Sequence, residues 1–148
     1  AGYTLKNGEI GLSYYTGDAP GATAPADVDR FGLDAMFKLS NVTILAEYLT
    51  GEGDLITETP TNFVVDDGKG GYLTVAYRKP GTAFMPYIRF DTLDPQDNVD
   101  GDSFNRITGG VSYYLNETSK IQLEFESIND DLNPDLDGRY TAQYQIIF

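Results

Sequence analysis

The 148-residue chain contains no cysteine and no histidine. Without cysteine there is no disulfide and no thiolate chemistry. Without histidine the chain lacks the usual general base near neutral pH and the commonest metal ligand. Ser-His and Cys-His catalytic pairs are therefore excluded. There is no glycine-rich phosphate loop either, and neither a cofactor nor an enzymatic activity is expected. Basic residues are few: Lys and Arg total 10 against 23 Asp and Glu, a net charge of −13. Nucleic-acid phosphates are held through Lys and Arg, so no nucleic-acid partner is expected. No apolar run reaches the length of a transmembrane helix. No signal peptide is visible, so the chain is either cytosolic or already processed, and the Ala1-Gly2 start suits a mature chain.

Aromatic residues are plentiful, with 11 Tyr and 8 Phe beside 16 Gly. This composition favours strands and tight turns. Hydrophobicity alternates at period two along most of the chain, which predicts about eight strands. They span Glu9–Gly17, Arg30–Ser40, Val42–Gly51, Gly71–Lys79, Thr82–Leu93, Phe104–Asn116, Lys120–Ile128 and Arg139–Phe148. The turn signal Lys6-Asn7-Gly8 suggests that Gly2–Leu5 is the tail of a further strand. Short connectors (Ser40-Asn41, Lys79–Thr82, Asn116–Ser119) alternate with long ones (Asp18–Asp29, Glu52–Gly70, Asp94–Asp102, Asn129–Gly138). All long loops then fall at one end of an up-and-down antiparallel sheet, as in outer-membrane barrels. The whole chain reads as one domain, residues 1–148, either a complete barrel or the C-terminal part of a larger one.

Each strand has one apolar parity, for example Leu33, Ala35 and Phe37, or Ile88 and Phe90, with no charge on it except Lys79 at a turn. The other parity carries Glu9, Arg30, Asp34, Lys38, Glu47, Arg78, Arg89, Asp91, Arg106, Lys120, Glu124, Glu126 and Arg139. Seven of these are positive and six negative, so the acidity of the chain resides in its loops and ends. In a soluble sandwich the apolar face would be the core. In a membrane barrel it would meet lipid, and the charged face would line the interior. Three features favour the barrel. The strands are long for a soluble sheet. Aromatics such as Tyr14, Phe31, Tyr77, Phe90, Tyr113 and Phe148 stand near strand ends on the apolar side. Opposite charges cluster within strands, as in Arg89 with Asp91 and Asp34 with Lys38, which suits ion pairing in a confined interior.

The end of the chain, RYTAQYQIIF, alternates apolar residues back from a final phenylalanine. It resembles the C-terminal assembly signal of bacterial outer-membrane barrels, which implies that Tyr140, Tyr144, Ile146 and Phe148 engage the barrel-assembly machinery during insertion. A second resemblance covers most of the chain. RFGLDAMFKLSNVTILAEYLTGEGD (30–54), GGYLTVAYRKPGTAFMPYIRFDTLD (70–94) and NRITGGVSYYLNETSKIQLEFES (105–127) are similar to the C-terminal half of porins of the phosphate-selective porin O and P type. That resemblance implies a Gram-negative outer-membrane location and passive diffusion of small hydrophilic solutes or ions. Such porins form trimers of barrels with about sixteen strands, whereas this chain has room for about eight. It carries no recognisable lysine-rich constriction, so neither phosphate selectivity nor an anion-site residue is transferred.

In an eight-stranded barrel the interior charges would cross-link into a plug, giving a closed barrel with a structural or surface-binding role. In a larger barrel they would line water, with Arg78, Arg89 and Arg106 facing Asp91, Glu124 and Glu126 in a transverse field. Lys120, Glu124 and Glu126 read most simply as an ion-pair ladder. Asn133, Asp135, Asp137 and Gly138 resemble the start of a calcium loop, but no Glu stands at the twelfth position, so no metal site is expected. Outer-membrane lipid and lipopolysaccharide are the expected surroundings, with homo-oligomers a further option.

Overall fold

The computed structural model describes residues 1–19, 26–53, 67–95, 100–131 and 138–146. Among them are nine strands and no helix: β1 Gly2–Leu5, β2 Gly8–Ala19, β3 Ala26–Leu39, β4 Val42–Gly53, β5 Gly68–Tyr77, β6 Phe84–Asp94, β7 Phe104–Tyr114, β8 Ser119–Asp130 and β9 Gly138–Ile146. All lie in one sheet in chain order, and every neighbouring pair is antiparallel. Backbone pairing runs only between neighbours in the sheet. The expected count of about eight therefore becomes nine. The added strand is the one signalled by Lys6-Asn7, where Leu5 pairs with Gly8 across the turn.

The short turns form through local chemistry. Ser40 takes a left-handed φ of 55° between β3 and β4. Gly81 does so at 74° before β6, where the Thr82 hydroxyl donates to the Lys79 carbonyl at 2.8 Å. After β7 the Asn116 side-chain oxygen accepts from the Thr118 amide at 2.9 Å and from the Ser119 hydroxyl at 2.9 Å. The side chain thus supplies the acceptor a backbone turn would need. The strands outrun their apolar alternation: β2 has 12 residues and β3 has 14. The ladder continues through the polar row Thr16, Asp29 and Glu52, because backbone pairing does not require apolar side chains.

The sheet is open. The eight long strands do not close on themselves, because β1 and β3 already occupy the two edges of β2. This corrects the closed eight-stranded alternative. With strict alternation, the edge strands β1 and β9 run in the same direction. Pairing them directly would give a parallel contact. Antiparallel closure needs an odd number of further strands.

The two faces are inverted relative to a soluble sheet. Leu12, Leu33, Ile88, Ile107, Leu123 and Tyr144 are exposed, and Tyr140 is 83% exposed. The only buried apolar residues among those described are Val28 and Ala76. Buried side chains are instead polar or charged, including Asp91, Thr108, Ser112 and Glu126. All four lie on the charged parity expected from the sequence.

The apolar face is edged by two aromatic rows. Toward the long connectors lie Phe31, Tyr48, Phe90, Phe125 and Tyr140; toward the short turns lie Phe37, Tyr77, Phe84, Tyr113 and Tyr144. Phe125 and Tyr140 have ring centroids 4.9 Å apart, and Phe84 and Tyr113 4.7 Å. Neither row follows the perpendicular register. Traced along paired residues, the position of Phe31 reaches β6 at Asp94, while that of Tyr140 reaches it at Ile88. The upper row thus descends by six residues, about 20 Å, across six inter-strand steps of about 4.8 Å. The lower row descends from the level of Ile88 at Phe37 to that of Phe84 at Tyr144. The slopes are about 35° and about 25° from the strand perpendicular.

Candidate functional site

The charged face gathers most of its ions into one band across β6–β9. Asp91 accepts from Arg89 Nε at 2.8 Å on its own strand and from Arg106 Nε at 3.2 Å on β7. The register explains the second bond, because Asp91 and Arg106 are direct partners. Arg106 Nη1 reaches Glu126 Oε1 at 3.5 Å, and Arg139 Nη2 meets Glu126 Oε2 at 2.7 Å. The result is an unbroken alternation of charge: Arg89, Asp91, Arg106, Glu126, Arg139. Both carboxylates are largely buried, with side-chain exposures of 13% and 7%, so each depends on its two guanidinium partners. At its other end the Arg89 guanidinium stacks 4.0 Å from the centre of the Tyr72 ring on β5.

A second chain runs below it. Lys120 Nζ donates to Gln122 Oε1 at 2.9 Å, and Gln122 Nε2 donates to Glu124 Oε1 at 2.8 Å. The Tyr87 hydroxyl also donates to Glu124, crossing β7 from β6 to β8. It passes above Gly110, where an added Cβ would collide with its ring. The expected Lys120–Glu124–Glu126 ladder is thus replaced by a relay through Gln122, with Glu126 committed to the arginines.

The remaining predicted lining residues stand apart. Arg30 lies over Gly51, its partner across β3 and β4, and donates through Nη1 to the carbonyls of Asp29 at 3.0 Å and Glu52 at 3.1 Å. Asp34 and Glu47 are register partners on β3 and β4, and Asp34 also covers Gly11. No Asp34–Lys38 ion pair occurs among the described residues. Lys38 and Arg78 line a cavity of about 500 Å³ at the short-turn end, with Arg78 4.5 Å above the Tyr114 ring. The expected transverse field therefore dissolves for Arg89 and Arg106, whose carboxylates sit beside them in the same sheet. Tyr140, Tyr144 and Ile146 occupy the opposite, apolar face on β9. Phe148 and the calcium-like positions Asn133, Asp135 and Asp137 lie outside the described residues.

Sequence reasoning from charge alone missed Tyr72, Tyr87 and Gln122, which connect the ions. Their signal was positional: Tyr87 faces a glycine, but only once the register of β6 on β7 is known. Chemically, the described residues of this face offer paired charges lying along the sheet. Comparison with protein-family models, with curated proteins and with solved structures returns no match to this chain.

Proposed function

We propose that this sheet is part of the wall of a Gram-negative outer-membrane β-barrel of porin type. In this role it lines a pore for passive diffusion of small hydrophilic solutes or ions. One observation carries the proposal: the exposed face is a continuous apolar band between two aromatic rows, while the sheltered face is charged. In water such a sheet would leave its largest apolar surface unburied, at about 25 cal/mol for each Å². In a bilayer the same surface faces hydrocarbon, and the aromatics sit at the interfaces.

The oblique rows support the same reading. A belt lies level with the membrane plane, so its slope against the register measures strand tilt. Slopes of about 25–35° approach the 35–45° tilt of membrane barrels. The open edges favour a wider wall over the plugged barrel, with an odd number of further strands completing an even-numbered antiparallel barrel. Lateral pairing of Arg89, Asp91, Arg106, Glu126 and Arg139 also suits a wide lumen, since these ions find partners without reaching across it. Lipid and lipopolysaccharide would surround the barrel, the assembly machinery would insert it, and a trimeric arrangement is part of the same proposal. Single-channel recording of the native protein in planar bilayers tests the pore. Discrete open-pore conductance steps are expected; an electrically silent bilayer containing folded protein would refute the pore.

A further inference from the structure

On the charged face, one region departs from the rule of ionic lining. Leu49 on β4 and Leu93 on β6 both point to this face and are 50% and 48% exposed. They flank Gly70 of β5, their common register partner. A Cβ at Gly70 would stand 3.1 Å from the Leu93 Cδ1. Because Gly70 has none, the two leucines border a backbone-floored notch, part of a cavity of about 870 Å³.

On this face its charged lining is balanced, Arg30 against Glu47. The Lys69–Asp94 pair, 3.6 Å apart, belongs to the opposite parity, in the row of Phe31 and Thr50. Arg30 is fixed over Gly51 by two carbonyls accepting from Nη1, leaving further donors on its five-donor guanidinium. Glu47 supplies acceptors at the lower edge beside Tyr72. A balanced lining gives an ion of either sign little net attraction, and two exposed leucines favour a ligand with an apolar face. Sugar rings have this amphipathic form, with C–H groups on their faces and hydroxyls around their edges. The volume lies within the range of small-molecule sites.

We infer that the notch between Leu49 and Leu93 is a subsite for a neutral polyhydroxylated ring, a mono- or disaccharide. The ring's apolar face lies on the leucines and Gly70, and its hydroxyls meet Arg30 and Glu47. This rests on the charged face being reached by solutes, as the proposed pore requires.

Saturation-transfer NMR on the full chain folded in micelles, titrated with sucrose, tests the subsite without requiring conductance. Saturable transfer is expected in the native protein. The Leu49→Ser, Leu93→Ser double variant should bind roughly tenfold more weakly. Both side chains are half exposed, so this variant should fold, which heat-modifiable migration verifies. Glu47→Gln, which keeps the shape but alters the acceptor, should weaken binding in the same direction. Absence of saturable transfer, or equal affinity in all three proteins, would overturn the subsite. Conductance of the same preparation separates the two proposals. Steps without sucrose transfer overturn the subsite alone. Transfer without steps supports the subsite and overturns the pore.

Discussion

Tyr87 and Glu124 are hydrogen-bonded across an intervening strand, over the bare backbone of Gly110. The bond joins β6 to β8 through a side chain rather than through the ladder. Gly110→Val should displace the Tyr87 ring and cost about 1–3 kcal/mol, through lost packing and one lost hydrogen bond to Glu124, which keeps its bond from Gln122. Tyr87→Phe should cost about 1.5–3 kcal/mol through loss of one charge-assisted bond. The two changes should be non-additive, since both abolish the same contact. Urea unfolding of the singles and the double variant in micelles checks this.

Glu126 is the hinge of the ion chain, with Arg106 on one side and Arg139 on the other. Glu126→Gln should leave Arg106 short of a partner in a partly buried position. We expect a loss of about 2–3 kcal/mol, below the usual figure for a buried pair because Arg139 is 61% exposed. Arg139→Ala should cost clearly less than Glu126→Gln, since Arg106 still neutralises Glu126. Equal losses in the two variants would show that the chain is not organised around Glu126.

Leu123 lies between the two aromatic rows on the apolar face of β8. Leu123→Arg should destabilise the protein folded in lipid by about 2–4 kcal/mol. The same change at Ser127, on that face beyond Phe125, should cost about 0–1 kcal/mol, as expected near an interface. Reversible unfolding from lipid vesicles reads both.

Ser40 holds a φ of 55°, which a Cβ opposes. Ser40→Gly should raise stability by about 1 kcal/mol. A decrease in the urea midpoint would show that the Ser40 side chain contributes more than the strain costs.

Parity was legible in the sequence because it depends only on residue order. Leu33, Ala35 and Phe37 fall on one face in any register, and Arg89 and Asp91 on the other. Connector lengths fixed the up-and-down order for the same local reason. What depends on neighbouring strands was not legible. The pairing of Arg106 with both Asp91 and Glu126 needs two registers, and so does the passage of Tyr87 over Gly110. The pairing of Asp34 with Lys38, inferred from closeness in sequence, failed because four strand residues span about 13 Å. β1 is only four residues long and was visible mainly through its turn. Whether the sheet closes is a property of its edges, and alternation is silent about edges.

The central claim is that the apolar face meets hydrocarbon. Because the chain has no cysteine, single cysteines can be introduced and labelled without background. An environment-sensitive fluorophore at Leu123→Cys and, separately, at Gln122→Cys, in vesicles containing brominated lipid, separates the two faces of β8. Strong quenching at position 123 and little at position 122 is the predicted result. Absence of quenching at position 123 in folded protein would contradict the account.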